Sequence, residues 1–327
     1  MSFKELPIMK DKSKGVLLFY PYVSKKSANN IKKKLSGRWL GQGPAVDKFE
    51  EEFRKKFAKN NSVIATGSGT DSLHLAYILA GLKEGDEVIT TVFTCTATNI
   101  PLLYMGIKIK FADVDRDTMN ISTKSIKKLI TKKTKAIVCV HYGGLPCEMD
   151  ELLKIAKKNK LILIEDAAHA LGAKYKKKPV GSLSDFTTFS FQAIKHFTTG
   201  DGGILTIKNK KLDDKAKRLR WFGIDRKGKQ KGTWKNDVHE VGYKYQMTDI
   251  AATMGLDSLK EFNLIINHRK KIYKTYLDEL SKDKNIKCVH NFDKKKEHGA
   301  WLFTVALNNK DYVQKKLRDH FIETNQV

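Results

Sequence analysis

In the stretch "FSFQAIKHFTTGDGG", residues 189–203, a single lysine, Lys195, stands among aromatic, small and hydroxyl-bearing residues. An amine surrounded by Phe189, Phe191, Ile194 and Phe197 loses the solvation of its charged form. Its pKa falls, and the neutral nitrogen can form a Schiff base with a carbonyl. Upstream, "LILIEDAAHALG" sets Asp166 directly after an aliphatic run, where a carboxylate faces the interior and needs a donor or a cation. A protonated pyridine nitrogen is one such partner; a lysine or backbone amides are others. His169 follows within about one helical turn and can face the same pocket, although a structural histidine has the same signature. A third segment, "ATGSGTDSLHLA", joins a strand to a helix through small residues, whose free N–H groups favour an anion. Its spacing is neither G-x-x-x-x-G-K-[ST] nor G-x-G-x-x-G, since Ser72 stands where the third glycine would be. An ordinary capped helix start has the same appearance.

The elements that must position these residues are visible as short β-rich runs alternating with helical patterns. The runs are "SVIAT" (62–66), "DEVIT" (86–90), "KIKFADV" (108–114), "KAIVCVHY" (135–142), "LILIED" (161–166), "DFTTFSF" (185–191) and "GILTIK" (203–208). Such alternation, with nearly continuous apolar strands, predicts an α/β domain whose mostly parallel central sheet is covered on both faces. In sheets of this kind the ligand lies beyond the carboxyl ends of the strands. Ser68, Gly69 and Thr70, Phe93 to Thr98, His141, Asp166 to His169, and Ser190 to Lys195 all fall there. From about Thr248 the pattern changes to one long helical stretch, or two, then "IKCVH" and "WLFTVAL" as strands and "DYVQKKLRDHFIE" as a helix. The chain thus divides into a large domain, residues 1–250, and a smaller α+β domain, residues 251–327. The smaller domain is expected to be incomplete, with the N-terminal segment packing against it.

With 327 residues, 41% of them hydrophobic, the chain can bury a large core. A net charge of +26, from 62 basic and 36 acidic residues, raises nucleic-acid binding as a function. The excess is mostly lysine in scattered runs such as "TKKTK" and "KYKKKP", placed like solvated helix ends, and no recognition motif accompanies them. Nucleic acid is therefore not the expected partner, whereas a phosphate-bearing substrate gains from the positive field. Four cysteines without a C-x-x-C pair argue against a metal site and a disulfide framework and fit a cytoplasmic setting. No apolar run nears the ~20 residues that span a bilayer, so no membrane partner is expected.

Together the three segments offer an anion cradle, an acid for a ring nitrogen and an amine for an aldehyde, the set that pyridoxal 5′-phosphate requires. In order, "SGTDSLHLA", "DEVITT", "EDAAHALGA", "FSFQAIKHFTTGDGG" and "GYKYQMTDIAATMGL" resemble the DegT/DnrJ/EryC1/StrS family. These are fold-type-I, pyridoxal-phosphate-dependent nucleotide-sugar aminotransferases. The resemblance implies that Lys195 forms the Schiff base and then shuttles the proton, that Asp166 pairs with the pyridinium nitrogen, and that His169 approaches the phenolic oxygen. It implies Gly69, Thr70 and Ser190 as phosphate binders. Lys244 stands where many relatives carry an asparagine, and would reach the neighbouring subunit's phosphate in a homodimer with composite sites. Cys95 takes the place of an aromatic residue that stacks on the cofactor ring. The "WLGQGP" loop with Gly41 and Gln42, together with His141, would line the sugar pocket.

The implied reaction moves an amino group from an amino acid, glutamate first among the candidates, to a keto group of a nucleotide-linked deoxysugar. The product would serve polysaccharide or glycan synthesis. The alternatives are a sugar dehydratase of the same family and a catalytically silent relative that binds through its basic surface. Dehydratases of the family carry histidine at the lysine position, and here Lys195 occupies it with His196 one place later.

Overall fold

The structure, a computed structural model, describes residues 15–226, 238–289 and 293–326. Helices α1 (Ser27–Leu35) and α2 (Pro44–Phe57) lead into strand β1 (Ser62–Thr66). Strands and helices then alternate through α3 (Gly69–Leu79), β2 (Glu87–Thr90), α4 (Thr96–Tyr104), β3 (Lys108–Phe111), α5 (Thr123–Leu129), β4 (Thr134–Val140), α6 (Met149–Asn159) and β5 (Ile162–Asp166). After two short strands, β6 (Lys174–Tyr175) and β7 (Lys178–Pro179), come β8 (Phe186–Ser190) and β9 (Gly203–Ile207).

Seven of these strands form one sheet in the order β1-β9-β8-β5-β4-β2-β3. β9 alone runs against its neighbours β1 and β8; the remaining pairs are parallel. The all-apolar strands follow from burial on both faces. β1 sends Val63 and Ala65 into a core built with α2, and Ile64 into a second core built with α3. Neither face of the strand meets water, so hydrophobic residues fill it without alternation. The α/β class and the mostly parallel sheet are as the sequence predicts.

Beyond the sheet lie α7 (Asp213–Leu219), α8 (Asp249–Lys260), α9 (Phe262–Leu280), β10 (Lys287–Cys288), β11 (Lys296–Glu297), β12 (Val305–Ala306) and α10 (Lys310–Asp319). The long helical stretch is two helices, broken at Glu261. β10 pairs with β12, and β11 joins β6 and β7 in a small sheet. "WLFTVAL" departs from expectation, being a strand only at Val305–Ala306. Ala300, with φ of 52°, turns the chain there, and the amides of Trp301 and Leu302 both donate to the Gly143 carbonyl. Trp301 is thereby drawn out of any strand and into the sheet's carboxyl edge. At the other end of the chain, Val16 exchanges backbone hydrogen bonds with Phe321 and Glu323 at 2.8 and 2.9 Å. Among the described residues no helix is long and apolar enough to cross a membrane.

One buried carboxylate joins distant parts of this fold. Asp249, wholly buried at the start of α8, accepts from the amides of Gly43 (2.8 Å), Val46 (3.1 Å) and Ala45 (3.2 Å) and from Lys34 Nζ (2.9 Å). The first amides of a helix have no partner within it. α2 begins Gly-Pro-Ala and has no side chain of its own to cap them, so Asp249 serves as its cap from across the sequence. Replacing Asp249 by alanine removes the side-chain acceptor shared by three amides and one ammonium. Urea unfolding should show a loss of at least about 2 kcal/mol; an unchanged midpoint would remove Asp249 from this role.

Candidate functional site

The site is built on the last two residues of β5. Side chains alternate across a strand, so Glu165 and Asp166 enter opposite faces, at 0% and 5% exposure. Glu165 is saturated. Its Oε1 accepts from Ser184 Oγ (2.6 Å), Ser184 N (3.2 Å) and Thr187 Oγ1 (3.0 Å), and its Oε2 from His141 Nε2 (2.8 Å). Burial pushes this carboxyl upward, but the donors from His141, Ser184 and Thr187 prevail and hold it below the ordinary carboxylate range. Asp166 has far less. Its Oδ2 accepts from Thr98 Oγ1 (2.7 Å) and its Oδ1 from Ala168 N (3.1 Å); among the described residues it has no ion pair. Thr98 is in turn hydrogen-bonded to Thr94 Oγ1 at 2.7 Å, so a short hydroxyl chain orients the acid.

His141 requires a correction. It was expected to line a sugar pocket, but its ring is completely buried. Nδ1 accepts from Cys147 N at 3.1 Å while Nε2 donates to Glu165. Both nitrogens are used inside the protein, on the Glu165 face, and nothing of the ring is left for a ligand.

Lys195 sits in the loop between β8 and β9, above buried Phe189, Phe191 and Phe197. Burial lowers its pKa, with the Asp166 and Cys95 charges acting the other way. Its Nζ forms no hydrogen bond or ion pair among the described residues; it lies 4.1 Å from the centroid of a Trp301 ring. His169 stacks on the same indole, 3.7 Å between centroids and 16° between planes. Burial first, then the neighbouring Lys195, hold this imidazole well below its ordinary pKa. Its Nδ1 is buried without a hydrogen-bond partner among the described residues.

The segment expected to cradle an anion lies where α3 begins. Ser68 caps the helix by accepting from Asp71 N at 3.0 Å, while the Gly69 and Thr70 amides lie in a first turn that offers no intrahelical acceptor. A Cβ on Gly69 would stand 2.9 Å from the Cβ of Ser190. Glycine is needed there because the backbone presses against β8. Gly69, Thr70 and Ser190 are thus brought to the edge that bears Asp166, His169 and Lys195.

Cys95, also singled out from sequence, lies close enough to Lys195 for its charge to act there. Lys244 is exposed, with Nζ 3.8 Å from a ring of its own Trp221. Cys95 is exposed at the start of α4, and Phe93 packs on Tyr142 at 4.9 Å. The Gly41 carbonyl accepts from Asp249 N (2.7 Å), which pins that loop to the start of α8, and the Gln42 carbonyl accepts from Arg226 (3.1 Å). One contributor, Trp301, escapes the sequence reading. Thr98 lay within a strand-end segment already singled out, whereas nothing near Lys195 in sequence pointed to Trp301. Among the described residues no group of acidic, histidine and cysteine side chains could hold a metal ion.

The saturated carboxylate gives a pH test. Ionised Glu165 stabilises the fold fully above its ordinary value of 4.5, and that contribution is lost as pH falls through the lower folded value. Glu165→Gln removes it and sets an amide N–H against donors. The variant should be less stable than wild type at pH 7 by urea unfolding, with the gap narrowing by pH 3. A constant gap would show that Glu165 ionisation is not linked to folding.

Comparison with known proteins follows the same lines. The chain is 34% identical over 321 residues to GDP-perosamine synthase of Escherichia coli O157:H7, covering 96% of this chain and 85% of that protein. The sugar aminotransferase CalS13 from Micromonospora echinospora superposes with a TM-score of 0.87 at 28% identity, over 93% of this chain and 84% of that one. Spr1654 from Streptococcus pneumoniae, whose structures include a PLP form and a PMP form, reaches a TM-score of 0.89 for the PMP form at 25% identity, over 95% and 83% of the two chains. Residues 21–327 match the DegT/DnrJ/EryC1/StrS aminotransferase family, and with nearly the whole described chain inside that match, the protein belongs to this family of PLP-dependent aminotransferases.

Proposed function

We propose that the chain transfers an amino group from an amino acid, glutamate, to a keto group of a nucleotide-linked deoxysugar, using pyridoxal 5′-phosphate held at the carboxyl edge of the sheet. The observation that carries this is the contrast on β5. Glu165 is fully bonded by protein donors, while Asp166, also buried, has two hydrogen bonds and no ion pair among the described residues. A buried carboxylate left in that state fits a partner carrying its own positive N–H. The other groups fit the same ligand: Gly69, Thr70 and Ser190 would cradle its phosphate, His169 would approach its phenolic oxygen, and Lys195, without an ion pair among the described residues, would supply the amine.

When bound, the cofactor supplies an aldehyde to take up the amino group and a protonated ring that draws electrons from the bond being broken. Asp166 keeps the proton on the ring nitrogen, and the Thr98–Thr94 hydroxyls keep Asp166 oriented. Lys195 Nζ, kept below the ordinary ammonium range by burial, takes the proton from the donor's Cα. In the second half-reaction it delivers one to the sugar carbon that bore the ketone. Cys95 borders the cofactor where relatives place an aromatic residue. Gly41 and Gln42 approach the sugar, and Lys244 reaches the phosphate of a second subunit in a cytoplasmic homodimer. The division into residues 1–250 and 251–327 belongs to the same reading. Support for the substrate class comes from the likeness to a synthase of GDP-perosamine.

Purified protein should be yellow, and borohydride should fix the cofactor to a peptide containing Lys195. Glutamate should convert the bound cofactor to its amine form, and a nucleotide-linked keto sugar should convert it back. Asp166→Asn should keep the borohydride adduct and lower kcat by about 10²-fold or more. A colourless protein that takes up no pyridoxal phosphate would rule the reading out.

A further inference from the structure

Lys195 is gripped by a stretch of chain about a hundred residues away in sequence. On one side, Trp301 Nε1 donates to the Ile194 carbonyl at 2.9 Å; on the other, His196 Nε2 donates to the Gly299 carbonyl at 2.7 Å. Both neighbours of Lys195 are thus fixed by residues 299–301. That stretch is itself fastened to the turn after β4, with Gly299 N donating to the Gly144 carbonyl at 2.8 Å and Trp301 N to the Gly143 carbonyl at 3.1 Å. The left-handed turn at Ala300 directs the indole into the site. There it meets the His169 ring at 3.7 Å and Lys195 Nζ at 4.1 Å, while Phe19 stacks on it at 5.5 Å.

From this geometry we propose that Trp301 is a positioning residue for the reactive amine. Its π face holds Lys195 Nζ at the sheet edge without an ion-pair partner, and its N–H fixes the loop on which Lys195 rides. An aromatic face attracts an ammonium but accepts no proton and engages no lone pair. The grip therefore acts on the ammonium and relaxes once the nitrogen is neutral and free to condense, whereas a salt bridge to Asp166 would occupy both the amine and the acid. The proposal rests on Lys195 being the amine that condenses with the cofactor, as argued above, and its test separates the two claims.

In cofactor-free protein, indole emission followed from pH 6 to 11 should show a step that vanishes in Lys195→Ala. Lys244 over Trp221 contributes equally to both proteins and cancels. The rate of condensation with pyridoxal phosphate should then be measured against pH in two variants. Trp301→Leu keeps apolar cover and loses the π face, so the ammonium is less favoured and the midpoint should fall by about one pH unit. Trp301→Phe keeps a π face and should stay within about 0.3 unit. The proposal fails if the Trp301→Leu profile coincides with wild type, or if no Lys195-dependent emission step exists. The emission experiment needs no change at Trp301 and decides the matter even if the leucine variant does not fold. A Lys195-dependent step in a protein that takes up no pyridoxal phosphate would sustain the indole–amine contact and defeat the functional reading instead.

Discussion

Taking a carboxylate out of water costs several kcal/mol unless donors or a cation replace the lost hydration, and β5 ends by burying two in succession. The strand's alternation sends them to opposite faces, where they meet opposite treatment. Around Glu165 the protein supplies every donor: two hydroxyls, an amide and an imidazole. Around Asp166 it supplies one hydroxyl and one amide. The first arrangement holds the strand end in place; the second leaves the acid with room for a further donor. Thr98 at the start of α4 bonds that acid directly, and the Asp166 charge acts on Lys195.

The antiparallel course of β9 explains how a lysine loop comes to stand at this edge. Two parallel neighbours need a crossover that returns to the far end of the sheet, whereas antiparallel neighbours can be joined by a loop that turns back at once. Because β9 runs against β8, the residues between them remain at the carboxyl edge throughout. The return passes under the anion cradle so closely that a Cβ on Gly203 would meet the Ser68 carbonyl at 2.2 Å, which is why the loop closes on glycines. One reversed strand thus unites the amine and the cradle.

The inner strands β4, β5 and β9 are legible because burial on both faces writes them as nearly continuous apolar runs, and the strand-end rule gathers Gly69, Asp166, His169, Ser190 and Lys195 to one edge. It also gathered His141, for the same reason and with the wrong result. His141 follows β4 as Ala167 follows β5, and Val140 pairs with Asp166; the rule locates the edge but not the face on which a ring will lie. The direction of β9 was invisible as well, since an apolar run has no polarity. Trp301 could not be found from local pattern at all, because a left-handed backbone at Ala300 and two carbonyls of a distant glycine turn decide where its ring goes.

Asp249 also sets an order of events while the chain is being made. The Gly43 amide that it caps was incorporated 206 residues earlier. At synthesis rates of about 5–20 residues per second, the first turn of α2 waits roughly 10–40 s for the group that completes it. Until then this amphipathic segment emerges from the ribosome frayed at its start, with Phe49 and Phe53 lacking their final cover. Its safe passage through that interval depends on whatever shields a nascent chain from its neighbours.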